Sequence, residues 1–279
     1  MSDPRSTPAN GRVAHARLRG RHPAPRFSTG NWRRVIAPTA PLLASPGGAR
    51  NRELLLGQRF LVLDDHAGFS FGEAERDGYV GYLPSAALGP DTAPSHRIGA
   101  IRSYAKQVPA LKDTGPQLLL SFGAELHVTG QTDAWAHTTI NGAEMFVPMA
   151  HLVPLAPPAS DPIKVARMFL GTPYLWGGNS ALGIDCSGLV QAALLACAIP
   201  CPGDSDQQQA SLGTPLPEGT PLQAGDLLFW AGHVALCTDA RHIIHANATH
   251  MAVVEENAAA AIARIQAAGD GPVTAHKRL

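Results

Sequence analysis

One cysteine of the chain stands where a thiol would be activated. Cys186 lies within residues 183–190, GIDCSGLV, with an acid before it and an apolar run after it. The apolar run predicts a helix with Cys186 in its first turn, where the partial positive charge of the helix start favours a thiolate. A lone cysteine beside an apolar helix can also be a buried core thiol, so the residues around it must decide between the two.

Two histidines follow in the order that a thiol hydrolase needs. His233 begins the strand-like run 233–237, and His245 lies in the next run, 242–246. A three-residue loop from Thr238 to Ala240 would place the two histidines opposite each other on one face, with Cβ atoms about 5 Å apart. A two-residue loop would turn His245 to the other face.

This arrangement predicts nucleophilic catalysis by a thiol. Cys186 attacks a carbonyl group, and His233 accepts the thiol proton and later protonates the leaving amine. His245 holds His233 in the productive tautomer, as a carboxylate or amide does in other triads. Asn247 is a rival for that orienting role.

The remaining cysteines indicate neither disulfides nor a metal. Cys197, Cys201 and Cys237 all follow Cys186, whereas a disulfide scaffold would spread its pairs through the chain. Cys197 and Cys201 are separated by Pro200, and no second pair follows to complete a zinc site. We therefore expect reduced thiols, no metal and no cofactor.

Composition narrows the classes of partner and compartment. Over 279 residues, 22 basic side chains balance 22 acidic ones, which argues against nucleic acid or an anionic membrane as an obligate partner. Residues 1–30 are basic and contain no apolar run long enough for a signal peptide, and no segment reaches the length of a membrane span. We expect a cytoplasmic protein; its oligomeric state is left open.

Composition, together with an internal repeat of the β region, divides the chain into four regions. Residues 1–30 form an Arg-rich lead, and residues 31–92 and 93–156 carry short apolar runs between turn residues, with a similar order of motifs in each. This pattern predicts two small all-β barrels. After a Pro-rich linker, residues 160–279 combine helices with later strands, which predicts an α+β domain that opens with an Asp161-capped helix.

Four motifs follow one another along the second half of the chain: YLWGG at 174–178, DCSGLV at 185–190, GHVAL at 232–236 and IHA at 244–246. Together they resemble the NlpC/P60 cysteine peptidases. The resemblance covers residues 160–279 and implies a papain-like fold. It implies cleavage of cell-wall (murein) peptides between γ-D-glutamate and a diamino acid. The β region resembles the two SH3-like barrels that precede this domain in a subgroup of γ-D-glutamyl-L-diamino acid endopeptidases.

The resemblance also implies roles for individual residues. It gives Cys186, His233 and His245 as the triad. The other residues that it implies are Tyr174 beside the oxyanion and a substrate-binding set of Tyr79, Trp176, Asp185, Ser187, Asp204 and Ser205. Glu53 is a candidate for an acidic partner from the first barrel.

The subgroup implies a substrate with a free N-terminal L-Ala. A half-buried Asp204 would favour that α-amine, and the first barrel would exclude peptides still attached to glycan. A cytoplasmic enzyme of this kind would recycle wall fragments. The alternatives are an amidase or acyltransferase that uses the same triad on another acyl group, and an inactive protein that only binds wall peptides.

Overall fold

The computed structural model describes residues 3–279, so the first two residues of the lead lie outside the described part. The chain forms two compact units, Met1–Ala156 and Pro157–Leu279. The strands of the first unit are β1 (Ala14–His15), β2 (Phe27–Ser28), β3 (Asn31–Val35), β4 (Thr39–Leu43), β5 (Arg50–Leu55), β6 (Arg59–His66), β7 (Phe69–Ala74), β8 (Val80–Pro84), β9 (Leu88–Gly89), β10 (His96–Ile98), β11 (Arg102–Lys106), β12 (Gln117–Ser121), β13 (Glu125–Leu126), β14 (Val128–Gln131), β15 (Trp135–Ile140), β16 (Ala143–Pro148) and β17 (Leu152–Pro154). Its helical turns are the 3-10 turns Ala16–Leu18, Ser85–Ala87 and Met149–His151.

The second unit contains the α-helices described between residues 3 and 279. Its elements are α1 (Pro162–Met168), β18 (Asn179–Ser180), β19 (Gly183–Ile184), α2 (Cys186–Ala196), α3 (Ser205–Ser211), β20 (Thr214–Pro215), β21 (Leu227–Trp230), β22 (His233–Cys237), β23 (His242–Asn247), β24 (Ala252–Asn257), α4 (Ala258–Ala267) and β25 (Ala275–Arg278). None of the helices in this described stretch combines the length and the apolar character that crossing a membrane requires.

A seven-stranded sheet organises the first part of the first unit, in the order β5-β4-β8-β7-β6-β3-β9. Its core contains Leu42, Leu54, Phe60 and Leu83, each no more than 1% exposed. The lead docks on this sheet because Val13 joins an apolar cluster with Phe71. The sheet thus supplies the buried surface that orders an otherwise polar segment.

Ion pairs add to the docking of the lead. Arg12 and Arg26 both bond to Asp64, at 2.8 and 2.5 Å, and Arg17 makes a two-pronged contact with Glu73. Glu73 is only 6% exposed, so its charge needs such a partner.

A five-stranded sheet, β12-β11-β16-β15-β14, and a three-stranded sheet, β13-β10-β17, form the rest of the first unit. They share a core that includes Ile98, Leu120 and Val147, together with Leu55 of β5. The β15–β16 hairpin turns at Asn141-Gly142, where both residues have positive φ angles of 49° and 78°. This dipeptide suits such a turn because both residue types tolerate left-handed backbone.

The prediction of two barrels is confirmed only in that residues 3–156 are rich in strands. Among the pairings of residues 3–156, β5 does not bond to β9, nor β12 to β14, so neither sheet closes. Closed barrels are therefore not confirmed.

In the second unit α1, α2 and α3 precede an antiparallel sheet, as the sequence predicts, but a further helix, α4, lies between β24 and β25. The sheet order is β20-β25-β21-β22-β23-β24, with α2 against β22 and β23 and α4 against β24. Leu228, Trp230 and Ile243 of the sheet pack with Ala261 and Ile265 of α4. Asp161 caps α1 through the amides of residues 163 and 164, as the sequence predicts.

Candidate active site

Cys186 is the first residue of α2, as the sequence predicts. Asp185 is the N-cap, so the free amides and positive dipole end of an 11-residue helix lie beside the sulfur. Cys186 is 5% exposed, and its Sγ lies 4.0 Å from the carbonyl oxygen of Gly232, which directly precedes His233. The geometry thus places the thiol at the start of strand β22.

Asp185 joins the cysteine motif to the YLWGG segment. Its Oδ1 accepts bonds from the Gly188 amide at 2.6 Å and the Ser187 hydroxyl at 3.0 Å, and its Oδ2 accepts one from the Gly177 amide at 2.9 Å. A Cβ at Gly188 would lie 2.6 Å from the carbonyl oxygen of Gly178. The two motifs therefore need glycine because their backbones touch.

The two histidines meet, but by a different register from the predicted one. Leu236 pairs with Ile244 and Cys237 with Ile243, so β23 is displaced by two residues from the expected pairing of Cys237 with Arg241. The predicted loop was wrong by one residue, because Thr238 already bonds to His242 and the turn lies beyond it.

An even displacement keeps every side chain on its face. His233 and His245 are therefore diagonal rather than opposite neighbours. Diagonal pairs remain within reach of long or aromatic side chains. Nε2 of His233 lies 2.8 Å from Nδ1 of His245.

Two further side chains contact the far nitrogen of His245. Oε1 of Glu256 lies 2.7 Å from Nε2, and Nδ2 of Asn247 lies 3.0 Å from the same atom. Asn247, the sequence's rival for orienting His233, thus bonds to His245 instead. Arg264 of α4 in turn donates a hydrogen bond to Glu256.

The environment keeps both imidazoles neutral at neutral pH. Burial lowers the pKa of His233 to about 3; electrostatic interaction with His245 and Arg264 lowers it further, and Glu256 opposes the shift. Burial also lowers the pKa of His245, against the hydrogen bond and charge of Glu256. Burial would raise the pKa of Glu256, but bonds from His245 and Arg264 lower it overall. A neutral His233 has a lone pair with which to accept a proton.

Tyr174 keeps its hydroxyl proton near the thiol. Its pKa is raised to about 12, first by burial and then by the nearby charges of Cys186 and Asp185. The Tyr174 amide donates to the Met251 carbonyl at 2.9 Å, which fixes the backbone beside β24. A phenol of this kind can donate a hydrogen bond to a developing oxyanion.

The other predicted substrate residues occupy different environments. Trp176 is 68% exposed, whereas Asp185 and Ser187 are 6% and 5% exposed and bond to each other. Asp204 is the N-cap residue of α3 and Ser205 its first residue, both partly buried. Substrate contact by any of these residues stays a prediction.

Two predicted residues lie within the first unit. Tyr79 is 4% exposed and belongs to the core cluster of the seven-stranded sheet. Glu53 is 7% exposed, and its Oε1 lies 3.1 Å from Nη1 of Arg50. Their roles toward a substrate also stay predictions.

Sequence reasoning missed Glu256 and Arg264. Residues 252–257 carry no motif, and a charged pair near a strand end is typical of a solvated edge. The one available signal is the alternation of β24, which turns Glu255 toward Arg167 and Glu256 toward His245.

Comparison with known proteins agrees with this geometry. Residues 171–266 match the model of the NlpC/P60 family, and residues 42–88 match that of the bacterial dipeptidyl-peptidase Sh3 domain. A gamma-D-glutamyl-L-lysine dipeptidyl-peptidase of Bacillus subtilis (strain 168) is 32% identical over 159 residues, which are 55% of this chain and 52% of the relative. One of the same name from Bacillus cereus (strain ATCC 10987 / NRS 248) is 37% identical over 97 residues, which are 32% of this chain and 28% of the relative.

Solved structures show the same fold. The crystal structure of an NlpC/P60 family protein from Bacillus cereus ATCC 10987 superposes with a TM-score of 0.73 at 19% identity, over 89% of this chain and 99% of that one. The sequence matches thus span about half of one curated relative and less of the other, while the structural match extends further. The chain contains an NlpC/P60 domain, preceded by a bacterial SH3 domain.

Proposed function

We propose that this protein is a cysteine peptidase that cleaves cell-wall peptides between γ-D-glutamate and a diamino acid. The observation that carries the proposal is the 2.8 Å bond between His233 and His245, beside a thiol at a helix start. Two relatives named gamma-D-glutamyl-L-lysine dipeptidyl-peptidases support the choice of bond. We further propose that the enzyme is cytoplasmic and acts in recycling of the wall.

The chemistry has two halves. The sulfur of Cys186 attacks the scissile carbonyl carbon as its proton passes to His233, and the carbonyl electrons move to the oxygen, where Tyr174 donates a hydrogen bond. Collapse of this intermediate breaks the C–N bond, and His233 gives its proton to the leaving amine. Water, deprotonated by His233, then hydrolyses the thioester and restores the thiol.

We propose that Asp204 selects peptides with a free N-terminal L-Ala. The α-amine of such a peptide is a cation, and a partly buried carboxylate stabilises it by a charge-assisted hydrogen bond. Acetylation removes the charge and adds bulk, so the acetylated peptide loses this contact.

The test is mass-spectrometric analysis of L-Ala-γ-D-Glu-meso-diaminopimelate beside its N-acetylated form. We expect release of L-Ala-γ-D-Glu from the free peptide alone. Cleavage of both peptides would keep the peptidase and remove the amine filter. If neither is cleaved while Cys186 reacts with iodoacetamide, the protein acts on another acyl group or only binds.

A pair of variants separates Asp204 from general charge effects. Asp204→Ala should weaken cleavage of the free peptide, because the amine loses its partner. Asp206→Ala removes an exposed carboxylate from the first turn of the same helix, α3, and should leave cleavage unchanged. Equal losses in the two variants would contradict a specific amine contact.

A further inference from the structure

The carboxylate behind the two histidines has a place in the proton pathway. We propose that Glu256 is a positioning residue that holds the proton of His245 on Nε2 and thereby leaves Nδ1 of His233 free to accept the proton of Cys186. This inference rests on the proposed function, because it requires proton exchange between Cys186 and His233. It adds a residue of β24 to the triad, whose members the sequence motifs place on α2, β22 and β23.

The argument starts from the single N–H of a neutral imidazole. Nε2 of His245 lies 2.7 Å from a Glu256 oxygen, and an ionised carboxylate can only accept a hydrogen bond. Nε2 of His245 must then carry the proton, and Nδ1 must accept. Across the 2.8 Å contact, Nε2 of His233 becomes the donor, so the lone pair of neutral His233 lies on Nδ1.

Asn247 favours the opposite tautomer. Its Oδ1 accepts from the His250 amide at 2.9 Å, which leaves its NH₂ group 3.0 Å from Nε2 of His245. An NH₂ group is a donor, so this contact favours an unprotonated Nε2 and a proton on Nδ1 of His245. His233 would then have to accept on Nε2 and carry its proton on Nδ1, where it could not receive one from the thiol.

Charge decides between these two tautomers. A hydrogen bond to an ionised acceptor is about twice as strong as a neutral one, so Glu256 outweighs the Asn247 amide. Arg264 holds the carboxylate in place and is itself bonded to the Thr249 hydroxyl at 3.0 Å. The side chain of Glu256 is 19% exposed, so water screens this contact only in part.

Glu256 also opposes the positive charges around the pair. The titratable groups that act on His245 are His233 from β22, His250 from the loop after β23, Arg264 from α4 and Glu256 from β24. Arg264 and His250 disfavour a charged ring, while Glu256 favours it. Glu256 acts in the same direction on His233, so it stabilises the imidazolium that forms there when Cys186 gives up its proton.

The experiment compares Glu256→Ala and Glu256→Gln with Glu255→Gln. Glu255 is the adjacent residue of β24, but it bonds to Arg167 at 2.6 Å, away from the histidines, and is a matched control. Three quantities are measured: the tautomers of both rings by nitrogen-15 NMR, the pH dependence of Cys186 alkylation by iodoacetamide, and kcat and KM on the tripeptide.

We expect Glu256→Ala to move the His245 proton toward Nδ1 and the alkylation midpoint to higher pH. The kcat of Glu256→Ala should fall about 10- to 100-fold, with little change in KM. This fall is smaller than the one caused by removing a residue that bonds directly to a catalytic histidine. Glu256→Gln keeps an acceptor oxygen without the charge, so each of its measured values should lie between those of the wild type and of Glu256→Ala. Glu255→Gln should match the wild type in every measurement.

Two outcomes would overturn the inference. One is a Glu256→Ala variant with the wild-type tautomer and alkylation midpoint; the other is a Glu256→Gln variant identical to the wild type, which would remove the role of charge. Failure of the proposed function looks different. The tripeptide would then stay intact with the wild-type protein, while the tautomers and alkylation, which need no substrate, would still respond to Glu256→Ala.

Discussion

Asp185 is predicted to hold the nucleophile in place, and its removal should destabilise the second unit strongly. Asp185→Ala deletes the acceptor of two backbone amides, those of Gly177 and Gly188, and of the Ser187 hydroxyl. All three bonds are buried. Water therefore cannot readily replace the lost carboxylate.

The magnitude follows from these contacts. Loss of an N-cap raises the free energy of the folded state by about 0.5–2 kcal/mol. A buried amide left without an acceptor adds about 1–3 kcal/mol. We expect Asp185→Ala to lower the free energy of unfolding of the α2 region by about 2–5 kcal/mol, which is large against ordinary domain stabilities.

Asp161 provides a matched control on the same unit. It caps α1 with bonds of 2.9 and 3.2 Å to the amides of Ile163 and Lys164, but those bonds are partly or fully exposed. Water can take over these amides, so Asp161→Ala should lower stability by only about 1 kcal/mol. The two variants lose the same capping role and differ in burial.

The assay is denaturant-dependent hydrogen exchange of the full chain, read for peptides that cover α1 and α2. We expect a large loss of protection in α2 of Asp185→Ala and a small one in α1 of Asp161→Ala. Equal, small losses in the two variants would refute the reasoning. A raised KM with unchanged protection in Asp185→Ala would instead favour the substrate contact implied by the family resemblance.

Three other predictions concern the nucleophile, the oxyanion and acid stability. Cys186→Ala should abolish hydrolysis with an unchanged exchange pattern, and near-normal turnover would end the thiol mechanism. Tyr174→Phe should lower kcat about 100-fold yet leave alkylation of Cys186 unchanged, as kinetics and labelling can check. Burial would raise the pKa of Asp226, but bonds from Arg278 and His276 lower it overall. The ionised Asp226 therefore stabilises the folded state at neutral pH, and this contribution is lost as the pH falls below the usual aspartate range. Acid titration of stability should therefore be shallower in Asp226→Asn, and an unchanged curve would contradict this.

The hairpin shows how far sequence reasoning reaches. Short, nearly continuous apolar runs correctly predict β22 and β23, as is typical of strands that are buried on both faces. The turn between them was assigned one residue early. Asp239 and Ala240 belong to both the predicted turn, 238–240, and the observed one, 239–241, so the local turn residues do not fix its boundary. The pairing of the two strands is displaced by an even number of residues, so His233 and His245 still share a face.

The sequence by itself determined the features that depend on neighbours along the chain. These are the start of α2 at Cys186, the capped start of α1 and the faces of the two histidine strands. Capping, the helix dipole and strand alternation act over a few residues, so local patterns carry them.

Only the tertiary structure decided which groups complete the site. Glu256 reaches His245 because β24 pairs with β23, and Arg264 reaches Glu256 because α4 packs against that strand. Such contacts depend on strand register and helix packing, which arise from the summed burial of many residues rather than from any short motif. The open sheets of the first unit have the same origin, since closure depends on pairing between edges distant in sequence.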